Sequence, residues 1–193
     1  MAYKQHFIEW FSGKQLPSYW TFRSIAGVTG AIEDSVDGGY KLSAGSATND
    51  RGEISFNDVG QYDLENSVLI TVNKSSTIAN VNNFVGLFTV RIQNDDFGYF
   101  GNISSLSASK FSLNTYDGTT SSATASSSNM DTNWHINKLD FSSGDIKVHV
   151  DGVLEITKTT NRPTGNAQPE VWVNGQSSTA TTHSIRYLEV YNK

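Results

Sequence analysis

Two carboxylates at i and i+2 on a β-strand project from one face, and such a pair can act as acid and nucleophile on a glycosidic bond. This spacing occurs at Asp63 and Glu65 in YDLEN (62–66). The pair stands before a long apolar strand rather than at its centre, which reads as a solvated strand end. Glu53 stands alone. The four histidines, His6, His135, His149 and His183, are scattered and share no ligand spacing. The chain has no cysteine, which removes disulfides, thiolate metal sites and a Cys nucleophile. G-x-S-x-G, H-E-x-x-H, the Walker A loop and G-x-G-x-x-G are all missing. No catalytic residue, metal site or cofactor is therefore expected.

Residues suited to binding remain. Aromatic rings stack on the faces of sugars, while Asn, Asp and Arg hydrogen-bond hydroxyls. In FGYFGN (97–102), Phe97, Tyr99 and Gly101 alternate with Gly98 and Phe100, so one side is core and the other open. Arg91, Asp95, Asp96 and Asn102 flank or join this stretch, and Tyr116 and Trp172 lie on strands that could share its sheet. These seven are the candidate ligand residues. The competing reading is core packing, because a sandwich needs most of its 22 aromatic residues inside.

The elements that must position them are strands. Alternation dominates, and no window of about 12 residues keeps a period of 3.6. Phe7, Glu9 and Phe11 alternate with His6, Ile8 and Trp10 in a first strand. YDLENSVLITVNK (62–74) reads as one long strand with Val68, Ile70 and Val72 on one face. TTSSATASSSN (119–129) reads as a loop or a poorly packed edge. About a dozen strands at this spacing predict an all-β, two-sheet antiparallel sandwich spanning 1–193 as one domain.

KVHVDGVLEI (147–156) is a hairpin around Asp151-Gly152. A two-residue Asp-Gly turn would set Val148 against Glu155 and Lys147 against Ile156, mixing polar with apolar on both faces. A three-residue loop, Val150-Asp151-Gly152, sets Val148 against Leu154, Ile146 against Ile156 and Lys147 against Glu155. The second register is the expected one.

Net charge is −5 and no Lys/Arg cluster occurs, which argues against a nucleic-acid partner. No apolar run approaches the roughly 18–20 residues of a membrane span, and the N-terminus lacks the apolar core of a signal peptide. Asn73-Lys74-Ser75 and Asn102-Ile103-Ser104 match the glycosylation acceptor, but without secretion the match reads as chance.

Three segments resemble the concanavalin A-like lectin/glucanase superfamily. NWHINKLDFSSGDIKVHVDGVLEITKTTNRPTG (133–165) is similar to its Trp-His strand, Val-Asp-Gly hairpin and Pro turn. HFIEWFSGKQLPSYWTF (6–22) is similar to its opening and SIRYLEVYN (184–192) to its closing strand. The resemblance implies a jelly roll and a structural role for His135. Glucanases of the superfamily carry "E-x-D-x-x-E" on a strand of the concave face, whereas NFVGLFTVRIQ (83–93), in the matching place, has no carboxylate. The resemblance therefore implies a non-enzymatic member. Many members hold calcium between the terminal strands through an Asp that is replaced here by Arg186. A Glu9–Arg186 ion pair is expected there instead.

These features lead to an expected structural or adhesion module. It would sit on a virus or phage particle, or be extracellular after lysis. Its partners would be a capsid or tail protein, a second copy of itself, or glycans, with Ile8 and Trp10 as a contact edge. The alternative is a free-standing carbohydrate-binding module or lectin.

Overall fold

A computed structural model describes residues 5–12, 15–32, 38–47, 50–56, 61–89, 96–175 and 179–193. Its strands are β1 (His6–Glu9), β2 (Thr21–Ala26), β3 (Val28–Ile32), β4 (Tyr40–Ala44), β5 (Arg51–Ser55), β6 (Tyr62–Asp63), β7 (Ser67–Ser75) and β8 (Val81–Phe88). The second half supplies β9 (Phe97–Ile103), β10 (Lys110–Tyr116), β11 (Ser121–Asn129), β12 (His135–Asp140), β13 (Ile146–Val150), β14 (Val153–Lys158), β15 (Asn166–Gly175) and β16 (Thr181–Asn192). No helix occurs among the described residues.

Two antiparallel sheets form. The first runs β14-β13-β12-β7-β16-β4-β3, with β1 also on β16. The second runs β11-β10-β9-β8-β15-β5-β2, with β6 on β15. Alternation explains the core between them, since each strand turns every second residue inward. Leu42, Leu69, Leu139, Val148, Ile185 and Leu188 of the first sheet belong to one buried cluster with Ile54, Val85, Leu87, Phe100, Leu113 and Val171 of the second. β1 ends at Glu9, short of the expected strand through Phe11, whose φ is 23°. Phe11 and Glu9 are buried, while Trp10 is 64% exposed and Ile8 44%.

Several local expectations are corrected. YDLEN is not continuous with the long strand, because residues 64–66 turn between β6 and β7. Val68, Ile70 and Val72 share one face of β7 as expected, but Leu69, Thr71 and Asn73 are the face turned to the interior; Val68 is buried, and Ile70 and Val72 are half-buried. The Asp63 carboxylate accepts from Glu65 N–H at 3.1 Å and from Asn66 Nδ2 at 2.6 Å, which makes it a turn cap. The Ser-rich stretch takes the second of its two expected forms: it is β11, an edge strand of small polar side chains.

The hairpin takes a third register. Val150 pairs directly with Val153 around a two-residue turn, and Asp151 and Gly152 both have positive φ (51° and 84°). Asp-Gly suits that turn because Gly carries no Cβ to clash and Asp tolerates the left-handed region. A bulge at Glu155 then resets the pairing, so Val148 meets Ile156 and His149 meets Leu154. Ile156 enters the core and Leu154 stays half exposed. Glu155 leaves Lys147 and instead accepts from Ser127 Oγ at 2.8 Å, tying β14 to β11 across the sandwich edge.

The Glu9–Arg186 pair does not form. Glu9 faces inward beside Leu188 and accepts from Phe11 N–H at 3.0 Å and Tyr19 O–H at 2.5 Å. Arg186 points outward, 4.7 Å from the centre of the Trp134 ring, with Lys74 4.6 Å from the same ring. A bulge between Ile185 and Tyr187 separates the two environments. Asn73 and Asn102, the two glycosylation matches, are 6% and 0% exposed, so neither amide is open to modification in the folded chain.

Candidate functional site

Most of the described sequence candidates gather on the outer face of the second sheet. Pairing places Trp172 opposite Phe84, Gly86 opposite both Glu170 and Tyr99, and Phe88 opposite both Gln168 and Phe97. Tyr99 then lies opposite Asn114, and Phe97 opposite Tyr116. Directly opposed residues share a face. The result is a ladder of rings across β15, β8, β9 and β10. Trp172 and Phe84 stack at 5.6 Å, Phe84 and Tyr99 at 4.2 Å, Tyr99 and Phe97 at 5.2 Å, and Phe97 and Tyr116 at 5.5 Å. Interplanar angles of 21–24° make these offset stacks. Gly86 sits inside the ladder because a Cβ there would lie 2.5 Å from Tyr99 Cβ.

Most of the ladder is closed. Trp172 is 4% exposed and Tyr99 8%, and Tyr116 is the half-open end. Burial pushes the Tyr99 phenol above its ordinary range, against the opposing hydrogen bond that it accepts from Asn114 Nδ2 at 2.9 Å. Asn114 Oδ1 in turn accepts from Ser121 Oγ at 3.1 Å. Tyr116 O–H donates to Gly118 O at 3.1 Å, and Asp96 Oδ1 lies 3.0 Å from where a Cβ on Gly118 would stand. Asp96 Oδ2 accepts from Thr164 N–H and Oγ1 at 2.7 and 2.8 Å. Asp117 closes the same turn, its carboxyl held down to about 2 by hydrogen bonds from Thr120 and Thr119.

Of the sequence candidates, Tyr99, Tyr116 and Trp172 share this face, and Asp96 borders its open end. Asn102 does not. It turns into the interior, where its Nδ2 donates to Ile78 O, because it follows Gly101 on an alternating strand. Arg91 and Asp95 lie outside the described residues.

The sequence reading left Glu53 alone and did not weigh Glu170. Glu53 and Glu170 are fully buried on this outer face. Glu53 pairs with Trp172 and Glu170 with Ser55, so the two are diagonal neighbours on adjacent strands, about 7–8 Å apart at that spacing. Glu170 accepts from Gln168 Nε2 at 3.1 Å and Trp172 Nε1 at 2.9 Å. Glu53 Oε1 lies 3.9 Å from Arg23 Nη1. A search for pairs within one strand cannot find them, since they are far apart in the chain. The available signal was Glu170 two residues before Trp172 in EVWVN, an acid and an aromatic on one face. Among the described residues no group of three or more His, Cys, Asp or Glu side chains is placed to share a metal ion.

No protein-family model matches the sequence, and no curated protein does. Solved structures do. A prokaryotic β-1,3-1,4-glucanase (lichenase) from a mouse hindgut metagenome superposes with a TM-score of 0.71 at 15% identity, covering 97% of this chain and 98% of its own. The Crh5 transglycosylase gives 0.68 at 12% identity over 97% and 84% of the two chains. The carbohydrate-recognition domain of Emp47p gives 0.64 at 13% identity over 97% and 94%. The expectation of a non-enzyme is corrected by these matches. Glycoside hydrolases and transglycosylases are among the similar structures, so the missing motif on NFVGLFTVRIQ does not exclude catalysis. The expected particle role and its capsid or tail partners find no support among them. What the superpositions establish is the architecture: this chain is an all-β sandwich of the concanavalin A-like fold.

Proposed function

We propose that the chain is a carbohydrate-binding domain that receives a sugar at the open end of the aromatic ladder. The observation that carries this reading is Tyr116, a half-exposed ring stacked on a rigid, buried row, with the Asn114 amide and the Ser121 hydroxyl beside it. A ring held by its neighbours loses little freedom when a pyranose stacks on it, and adjacent amide and hydroxyl groups read sugar hydroxyls. The Emp47p match supports the reading, since its printed description is a carbohydrate-recognition domain. A glycan array followed by calorimetry tests it. Tyr116→Ala is expected to weaken the best glycan about tenfold, equal to about 1.4 kcal/mol, while the chain stays folded. A blank array, or Tyr116→Ala binding as tightly as the parent, overturns the reading.

One observation favours a second reading, glycan cleavage or transfer on the same face. Glu53 and Glu170 are diagonal neighbours on adjacent strands of this face, and glycoside hydrolysis uses a pair of carboxyl groups that flank the scissile bond. Under this reading, incubation with a polysaccharide panel releases reducing ends or transferred oligosaccharides. Glu170→Gln and Glu53→Gln then each lower the rate at least about a thousandfold while the chain stays folded. No product from any polysaccharide sinks this second reading and leaves the first intact.

A further inference from the structure

The outer face of the first sheet carries a second set of rings. Along β16 the alternation in YLEVY buries Leu188 and Val190 and turns Tyr187, Glu189 and Tyr191 outward. Pairing with β1 sets His6 opposite Tyr191 and Ile8 opposite Glu189, and Trp10 follows on the same side. The Trp10 and Tyr187 rings meet at 4.5 Å and 59°, and the His6 and Tyr191 rings at 5.7 Å and 75°. At 64% exposed, Trp10 is the most open large apolar side chain among the described residues.

Glu189 stands between the two ring pairs, its side chain 19% exposed. Its Oε1 lies 2.9 Å from His6 Nε2, and its Oε2 accepts from Tyr187 O–H at 2.7 Å. Both oxygens are thus held in place, and each can still accept from a further donor. At the His6 end, an open cavity of about 250 Å³ is lined by Gln5, His6, Glu189, Tyr191, Asn192 and Lys193. The Asn192 Oδ1 accepts from Ser67 Oγ at 2.8 Å, which leaves the Asn192 amide nitrogen to donate elsewhere. Lys193 Nζ donates to Asp140 Oδ2 at 2.9 Å, so its charge is already met.

The strip is small. Tyr187 to Tyr191 is four strand steps, about 13 Å, and two strands are about 10 Å across. That footprint, roughly 130 Å², is far below the about 800 Å² that each partner brings to a stable protein interface. Its layout is also the reverse of such an interface, which has an apolar centre and a polar rim. Here the carboxylate is central and the rings lie at either end. Rings for the flat apolar faces of a pyranose, with a fixed carboxylate and an amide for its hydroxyls, are the groups a sugar requires. We infer that the β1–β16 face is a second saccharide site, for a linear oligosaccharide laid along β16. Trp10 and Tyr191 lie under its sugar rings, and Glu189 accepts from hydroxyls between them. The strip is on the opposite sheet from the ring ladder and is independent of the site at Tyr116.

Titration calorimetry with cellohexaose, xylohexaose and chitohexaose tests the inference. It is run on the Tyr116→Ala chain, which lacks the ring at the open end of the ladder, so the result does not depend on that site. The Tyr116→Ala chain is expected to bind at least one of the three. Adding Trp10→Ala is expected to weaken that binding about tenfold or more, and Trp10→Phe in its place to restore most of it. Adding Glu189→Gln, which keeps the shape and removes the charge, is expected to weaken it about tenfold as well. Trp10 is open to solvent, so melting curves should show each chain folded. No binding of any of the three sugars to the Tyr116→Ala chain overturns the inference, as does binding that Trp10→Ala leaves unchanged. A parent chain that runs as a dimer on size exclusion, and as a monomer with Trp10→Ala, makes the strip a contact between copies and overturns it equally.

Discussion

Trp172→Ala is expected to lower the unfolding free energy by about 3–5 kcal/mol, the largest loss on the outer face of the second sheet. Trp172 is 4% exposed and heads the ladder against Phe84. Its removal leaves a void beside Phe84 and takes the indole donor from the buried Glu170 carboxylate. Trp172→Phe keeps a ring on Phe84 and loses mainly the donor, so a smaller loss of about 1–3 kcal/mol is expected. Tyr116→Ala, at the half-open end, is expected to cost less than either. Urea unfolding of the three variants with a common m-value checks the order. A Trp172→Ala protein within about 1 kcal/mol of the parent would show that the closed end is not structural. The division of labour along the ladder would then fail.

The second large effect is on pH. Burial holds His183 down to about 4 from 6.5, only partly offset by its hydrogen bond to Trp172 O. A group with a depressed folded value binds its proton in the unfolded chain first. The stability it contributes is complete above 6.5 and is lost as pH falls from 6.5 to about 4. At about 1.4 kcal/mol per unit, the loss reaches about 3 kcal/mol. Burial lowers His149 as well, which adds a change of the same sign. A second decline follows below the carboxylate range. Burial alone would raise Asp140, but hydrogen bonds from Ser142 and the charge of Lys193 outweigh it and hold the group to about 2. That contribution is present above 3.8 and vanishes as pH falls toward 2. Unfolding followed from neutral to acid pH should therefore show a fall between 6.5 and about 4 that continues into a second between 3.8 and about 2. His183→Gln should remove most of the first and keep the second. A flat profile between 6.5 and 4 in the parent would refute the assignment.

Much of the candidate face was legible residue by residue. Alternation around Tyr99 and Tyr116 marked them for one side of a strand, and EVWVN marked a strand that could join them. Asp96 was visible through its place beside FGYFGN. Asn102 went to the wrong side because a distance in sequence was read as nearness in space, and an alternating strand turns such a neighbour inward. Glu53 looked solitary for the complementary reason. Its partner Glu170 comes from β15, and only the pairing of β5 with β15 sets the two side by side.

The hairpin marks the limit of local reasoning. Asp151-Gly152 by itself determined a turn, because few dipeptides accept positive φ at both positions. Where the ladder slipped was decided elsewhere. Ser127 and Ser128 on β11 capture the Glu155 carboxylate, and the core takes Ile156. The amino-acid order by itself determined the all-β class and the inward and outward faces of most strands, since side-chain alternation is a property of each strand alone. Only the tertiary structure decided which strands are neighbours. With that came the ring ladder and the Glu53–Glu170 diagonal. Each is made of groups from different strands that cannot interact until non-local pairing brings them within a few ångströms.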